Sequence, residues 1–351
     1  MKLERIGFLF RLLFFVAAAP AWSGQAEIAL DAGLKLHEAG KIKEAIQEYD
    51  RAIKANPKLT EAYFNRGNAY YDLDQNEQAA KDYSDVIRLT PKDAEAFFNR
   101  GNAYRRLKKN DLALKDFSAA IKLNPEDARN YANRGSIHFD ARRYDAALKD
   151  FGEVLRLNPR DAETLYNRAN SYLALDKKEE AIKDYGEALS LDPALVEAYY
   201  NRGIAYADSA QYENAIRDFA EVLARNPKSS NAFYNRALSE AKLGRYEAAV
   251  ENYSEAIRLN PKDPEAPFNR GRAYLQLQQF DLAARDFTEV IVTQPRNADA
   301  LIYRGIARIY QGRENDADVD FQKAFQLSPA IKKKLQPIID EAKAKAKSSR
   351  P

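Results

Sequence analysis

The sequence predicts an all-α fold, a solenoid of nine helix-turn-helix repeats, and three observations carry that prediction. A proline recurs every 34 residues, at Pro57, Pro91, Pro125, Pro159, Pro193, Pro227, Pro261, Pro295 and Pro329. An alanine keeps the same beat from Ala45 to Ala317, and an aromatic residue follows each alanine by four positions, from Tyr49 to Phe321. A small residue keeps it a third time, at Gly33, Gly67, Gly101, Gly135, Ala169, Gly203, Ala237, Gly271 and Gly305. Self-similarity at a fixed period of this size marks a repeat architecture.

The chain opens with a segment outside the period. Lys2, Arg5 and Arg11 flank an apolar stretch from Ile6 to Phe10. The apolar run Leu12 to Ala21 follows, and Ala19, Ala21, Ser23 and Gly24 form a small-residue exit. This is the pattern of a secretory signal peptide. The run has ten residues, against the ~20 that a bilayer span needs. Residues 1–23 are therefore read as a signal peptide, with an uncleaved membrane anchor as the alternative. The remainder is expected outside the cytoplasm, in a bacterial periplasm. A chain without cysteine is indifferent to an oxidising compartment.

The repeats are assigned to 26–59, 60–93, 94–127, 128–161, 162–195, 196–229, 230–263, 264–297 and 298–331. In 60–93, residues 61–73 and 77–90 each read as a helix, separated by the polar loop Asp74 to Asn76. Gly67 and Ala79 permit close approach of the two helices, and Tyr70 and Tyr83 fill the seam. Val86, Ile87 and Leu89 extend the apolar face of the second helix. Pro91 cannot continue that helix. Asp93 is placed to cap the next one, as are Asp127, Asp161, Ser229, Asp263 and Asn297 in later repeats. A single such unit cannot bury its apolar face, so neighbours must stack.

Three residues after most of the small positions stands a tyrosine: Tyr70, Tyr104, Tyr172, Tyr206 and Tyr274. The period and the order small–Tyr–Ala–aromatic–Pro resemble the tetratricopeptide repeat (TPR) family over nearly all of the chain after residue 25. That resemblance implies a right-handed superhelix with first helices lining a concave face, and a non-enzymatic scaffold that binds a partner protein or extended peptide.

Two columns go beyond packing. An arginine precedes the small position at Arg66, Arg100, Arg134, Arg168, Arg202, Arg236, Arg270 and Arg304. The second helix answers with Asp82, Asp116, Asp150, Asp184, Asp218, Asp286 and Asp320, and with Asn252 in repeat 7. A repeated Arg–Asp bridge is predicted, within a repeat or between neighbours; a basic ladder for an anionic ligand is the alternative. The other column is asparagine, at Asn65, Asn99, Asn133, Asn167, Asn201, Asn235 and Asn269, with a second rank at Asn68, Asn102 and Asn170 one turn on. An amide offers both a donor and an acceptor, which suits a peptide backbone. The row is similar to the asparagine ladders that hold extended peptides in the O-linked N-acetylglucosamine transferase family. A role bonding the asparagine's own repeat or a neighbouring helix stands beside that reading. Asn68 with Asn99, or Asn102 with Asn133, also match the amides of a carboxylate clamp seen in chaperone-binding members, but the clamp's cationic places hold Phe64, Phe98, Arg129 and Asn133, or Glu163 and Asn167, of which Arg129 alone matches.

The ends depart from the pattern. Repeat 1 lacks both columns, and Tyr303 takes the asparagine place in repeat 9. Pro267 is expected to weaken the joint of repeats 7 and 8. Residues 332–351 are read as a capping helix, broken at Pro337, with a basic tail that could touch anionic lipid. The rest of the composition excludes chemistry more than it suggests any. Net charge is +3 and the repeats themselves are acidic, which argues against nucleic acid. There are two histidines, no cysteine, no phosphate loop and no zinc-protease motif. No cofactor, metal or catalytic residue is expected. The alternative to a peptide scaffold is a self-assembling or membrane-tethered adaptor of the cell envelope.

Overall fold

The computed structural model describes residues 21–348. The leader read in residues 1–23 lies outside them except for Ala21–Ser23, which open the first helix. The described residues form nineteen α-helices and no strand. They fall into two compact units that meet in sequence at Leu157 and Asn158.

The first unit holds repeats 1 to 4. Its first helices are α1 (Ala21–Glu38), α3 (Thr60–Asp72), α5 (Ala94–Arg106) and α7 (Ala128–Asp140). Its second helices are α2 (Ile42–Ala55), α4 (Asn76–Leu89), α6 (Asn110–Leu123) and α8 (Tyr144–Leu157). The second unit holds repeats 5 to 9. Its first helices are α9 (Ala162–Ala174), α11 (Val196–Asp208), α13 (Ser230–Lys242), α15 (Glu265–Gln276) and α17 (Ala298–Tyr310). Its second helices are α10 (Lys178–Leu191), α12 (Tyr212–Arg225), α14 (Tyr246–Leu259), α16 (Phe280–Thr293) and α18 (Glu314–Leu327), and α19 (Pro329–Ser348) closes it.

Each helix pair closes on the three columns that the period exposes. The alanines from Ala45 to Ala317 are fully buried, and Tyr83, Phe117, Phe219 and Phe287 beside them are almost so. The ring sits where a side chain on the facing small residue would go. A Cβ on Gly203 would lie 2.8 Å from Cε1 of Phe219, and one on Gly67 would lie 2.8 Å from Cε1 of Tyr83. Within each unit a first helix also packs on the second helix before it, as α5 does on α4 and α13 on α12. The core is therefore one continuous seam per unit.

The turn inside each repeat needs a residue in the left-handed region. Gly40, Gly244 and Gly312 supply it in three repeats, while Asp74, Lys108, Arg142, Asp176, Ala210 and Gln278 take the same conformation without being glycine. The turn between repeats is capped as expected by Asp93, Asp127, Asp161, Ser229 and Asn297, whose side chains accept backbone N–H groups of the following helix.

Three expectations change. Asp263 still accepts the N–H of Glu265, at 2.9 Å, but Pro264 stands at the cap and α15 starts one residue late. Pro267 is then the third residue of its helix. The first four N–H groups of a helix have no partner within it, so this proline removes no helical hydrogen bond and is simply buried. Finally, α19 starts at Pro329, before the assigned boundary at 332, and runs through Pro337. Six of the eight earlier repeats place Asp, Ser or Asn two residues after the proline; here the sequence continues Ala330–Ile331–Lys332, and the proline opens the helix directly.

Candidate functional site

The arginine and aspartate columns meet inside each repeat. Arg66 donates Nε to Oδ2 of Asp82 at 2.8 Å and Nη2 to Oδ1 at 2.7 Å. The same two-pronged geometry recurs at Arg100–Asp116, Arg134–Asp150, Arg168–Asp184, Arg202–Asp218, Arg270–Asp286 and Arg304–Asp320. The third prong reaches the preceding second helix. Nη1 of Arg100 donates to Ser84 at 2.9 Å, that of Arg134 to Ser118 at 3.0 Å, and that of Arg270 to Ser254 at 2.9 Å. Arg66 makes the same reach to Asp50, and Arg304 to Thr288. Each of these arginines joins its own two helices and the repeat before, so both halves of the expected bridge are present.

These aspartates are buried. Burial pushes the Asp82 and Asp218 carboxyls above the usual range, against the pull of Arg66 and Arg202. Burial likewise opposes the charge of Arg66, yet Asp82 and Asp50 together hold its pKa above the ordinary guanidinium value. Such a pair orders the joint more than it adds net stability. With every arginine fork engaged by an aspartate or its substitute, the basic-ladder alternative has no free row of cations to stand on.

Repeat 7 carries the missing aspartate differently. Arg236 donates Nε to Oδ1 of Asn252 at 2.8 Å, and Nη2 to the same oxygen. The Asn252 amide donates onward to Glu240, at 2.8 Å. Glu240 replaces the tyrosine of that column and is 8% exposed. Burial raises its pKa, while Asn252 and Arg236 pull it down. In repeat 4 the same tyrosine place holds His138, whose Nδ1 is buried with no hydrogen-bond partner.

The asparagine row lies on the first-helix side, half-buried, and each placed amide is held by the fold. Asn65, which has no polar neighbour in repeat 1, donates Nδ2 to the carbonyl of Glu61 at 2.7 Å. Asn99 points its Nδ2 at Oδ1 of Asn68, 3.5 Å away, and Asn133 donates to Oδ1 of Asn102 at 3.0 Å. In the second unit Asn201 donates to Asn170 at 3.0 Å, with the Tyr166 hydroxyl at 3.3 Å. Asn235 donates to the Tyr200 hydroxyl and Asn269 to that of Tyr234, each at 3.0 Å. Burial raises the pKa of both tyrosines, with the asparagine bond acting against it, so they stay protonated.

The second rank is more enclosed. Asn68 is buried and accepts from the Tyr83 hydroxyl at 2.8 Å, and Asn170 accepts from Tyr185 at 2.5 Å. Arg105 occupies the carbonyl of Asn133 at 3.0 Å. Asn167, first of the row in the second unit, is half-buried. The carbonyl oxygens of Asn65, Asn99, Asn201 and Asn235 have no donor among the described residues. In both pairs considered for a carboxylate clamp, the amide of Asn99 or Asn133 is turned onto the carbonyl of its partner, Asn68 or Asn102.

A rule of exchange runs down the row. The amides of Asn99, Asn133, Asn201, Asn235 and Asn269 each find an asparagine or a tyrosine in the repeat before; Asn167, with Ser136 and Ala132 at the corresponding places, does not. Repeat 8 offers neither, having Phe268 and Arg272 at those places, and there repeat 9 replaces asparagine by Tyr303, whose ring meets Phe268 edge-on and lies under Arg272. Reading the asparagine column alone misses this; comparing each asparagine with the two positions 31 and 35 residues earlier finds it. The serine and threonine partners of the arginine forks, 16 residues earlier, were legible in the same way.

Among the described residues no helix is long and apolar enough to cross a membrane, and no cluster of metal-ligating side chains occurs. Models described as TPR repeat or tetratricopeptide repeat match at residues 33–74, 67–108, 94–127, 128–161, 169–209, 196–229, 238–278 and 268–328. No curated protein matches the sequence. Among solved structures, the C-terminal part of a TPR repeat-containing protein from Cytophaga hutchinsonii is 16% identical, with a TM-score of 0.59, covering 68% of this chain and 97% of that one. A tetratricopeptide repeat protein from Parabacteroides merdae is 24% identical, TM-score 0.50, covering 72% and 98%. YrrB, described as a TPR protein with an unusual peptide-binding site, is also 24% identical with a TM-score of 0.50, covering 53% and 96%.

Proposed function

The chain belongs to the tetratricopeptide repeat family, a fold of protein–protein interaction scaffolds, and from that premise we propose that its first-helix face holds an extended segment of a partner protein. Two pairs of open carbonyls carry the reading, Asn65 with Asn99 in the first unit and Asn201 with Asn235 in the second. Each amide is locked by its own donor bond, so the oxygen is presented in a fixed orientation. An oriented acceptor suits the N–H groups of an extended backbone. Helices about 10 Å apart, against a rise of about 3.3 Å per strand residue, give one asparagine per roughly three ligand residues. The aromatic neighbours Phe64, Phe98, Tyr166, Tyr200, Tyr234 and Phe268 supply apolar contact beside the row.

The test must separate binding from folding, since the same amides bond neighbouring repeats. Linear peptides selected by display on the purified protein provide the probe. Asn201→Ala/Asn235→Ala/Asn269→Ala removes both the oxygens and the inter-repeat bonds. Tyr166→Phe/Tyr200→Phe/Tyr234→Phe removes hydroxyl partners and keeps the oxygens. At least tenfold weaker peptide binding by the first variant, with a smaller loss in the second as its amides lose an anchor, is the expected result at a temperature where both are folded. Equal loss in both would assign the row to the fold.

We also propose export through residues 1–23, on their charge and apolar pattern; cell fractionation with N-terminal sequencing of the product tests it. A self-assembling adaptor is the second reading. It draws on Val292 and Val319, which are 74% and 63% exposed on the second helices α16 and α18. Light scattering showing a concentration-independent monomer would remove it.

A further inference from the structure

Charge is balanced at the arginine forks wherever they are buried, with one exception. In repeats 3, 5, 6 and 8 one arginine faces one buried aspartate. Repeat 7 loses the aspartate and regains the charge through Glu240. Repeat 2 has an additional acid, but the Asp50 side chain is 52% exposed and water screens it. Repeat 9 alone adds a cation. Arg308 stands where five other repeats carry tyrosine, and no further acid accompanies it.

Its Nη1 shares Oδ2 of Asp320 with Nε of Arg304, at 2.6 and 2.9 Å, and reaches the Asp316 carbonyl at 3.2 Å. The Asp316 carboxylate is already held by Arg313, at 2.8 Å. Two guanidinium groups therefore face one buried carboxylate, and the Arg308 side chain is only 18% exposed. Its Nε and Nη2 have no acceptor among the described residues. Burial holds Arg308 below the ordinary guanidinium value; Asp320 pulls the other way, and Arg304 and Arg313 add to the lowering.

We propose that the Arg308 corner of repeat 9 is a binding site for an oxyanion, either a phosphate group or a carboxylate. An unmatched, half-sheltered guanidinium with two free donors has the geometry for a two-oxygen grip. An anion there restores the balance that the other buried forks keep. The site is independent of the asparagine row.

The experiment uses the full chain in sodium phosphate, sodium acetate and sodium chloride at equal ionic strength and neutral pH. Wild type is compared with Arg308→Tyr, which restores the residue found at that place in five repeats. Wild type is expected to melt higher in phosphate than in chloride, and to broaden the phosphorus NMR line of phosphate. Arg308→Tyr is expected to do neither, while melting no lower than wild type in chloride. A rise in acetate as well as phosphate points to a partner's carboxylate as the natural ligand; a rise in phosphate alone points to a phosphate group. Equal responses of the two proteins to phosphate would overturn the site. So would a lower melting temperature of Arg308→Tyr in chloride, which would make Arg308 a fold residue.

Discussion

Glu240 shows how much one side chain depends on its partners. It is buried, and its charge is tied to Arg236 through the amide of Asn252. Glu240→Ala is expected to cost about 1–3 kcal/mol, the range for a buried polar group losing its partner. The double change Glu240→Tyr/Asn252→Asp rebuilds the arrangement of the other repeats and should return the melting temperature to near the wild-type value; failure of that rescue would contradict the neutral-fork account. His138 gives a pH prediction. Burial lowers its pKa, helped by Arg143 and Arg134 and opposed by Asp150. A lowered folded pKa contributes stability that is present above the ordinary value of 6.5 and is lost as pH falls through the lower folded value. The melting temperature should therefore fall more steeply as pH drops from 6.5 towards that lower value than it does for His138→Tyr, and parallel curves would refute it. At this scale the sequence was legible wherever partners share a column spacing. The Arg–Asp spacing of sixteen was visible as two parallel columns. The compensation by Glu240 was not, because it crosses from one column to another, and neither was the division of Asn65, Asn99, Asn201 and Asn235 into a used amide and an open oxygen.

Helices and turns follow local rules whose signals are uneven. The helix pairs were legible because alanine, aromatic and proline repeat without a slip. The left-handed turn residue was not, since only three of the nine turns carry glycine there. A non-glycine residue in that conformation costs roughly 1–2 kcal/mol, and glycine returns about 0.4–1 of this through the unfolded chain. Ala210→Gly, with no side-chain function to lose, is therefore expected to stabilise by about 0.5–1 kcal/mol in chemical denaturation; an unchanged midpoint would mean the turn is unstrained. Proline carried the opposite lesson. Pro267 read as a weak joint because residue type alone was weighed, whereas in the first turn it removes no helical hydrogen bond; Pro337, ninth in α19, does remove one, and the helix runs through it all the same. The fork itself is an element-scale device, joining the two helices of its repeat and, at Arg66, Arg100, Arg134, Arg270 and Arg304, the helix before as well. Arg202→Ala is expected to cost about 3–5 kcal/mol, as for a buried pair that loses one partner. A double-mutant cycle with Asp218→Ala should show that most of this is shared, and additive effects would deny the pairing.

In the whole molecule each repeat leans on its neighbours, so the last one needs a cover. Leu301, Ile302 and Ile309 of α17 are fully buried, and Ile339 and Ala342 of α19 complete their cluster. A chain ending after Leu327 would open that face to water. It is expected to aggregate or melt at least several degrees lower than the full chain, by calorimetry; an unchanged transition would show that α19 is dispensable. Repeat number and phase were plain from the sequence because every insertion-free copy reports the same register. The terminal cover was less plain, as it obeys no period.

The backward reach of the arginine fork has a consequence for anyone who would transplant pieces of this protein. Because Arg100, Arg134 and Arg270 grip a hydroxyl in the helix before their own repeat, the self-sufficient cassette is out of phase with the proline punctuation. Excising a module at the prolines keeps the Arg–Asp pair but severs the bond that ties it to the helix before, whereas a cut that carries the upstream helix along keeps both.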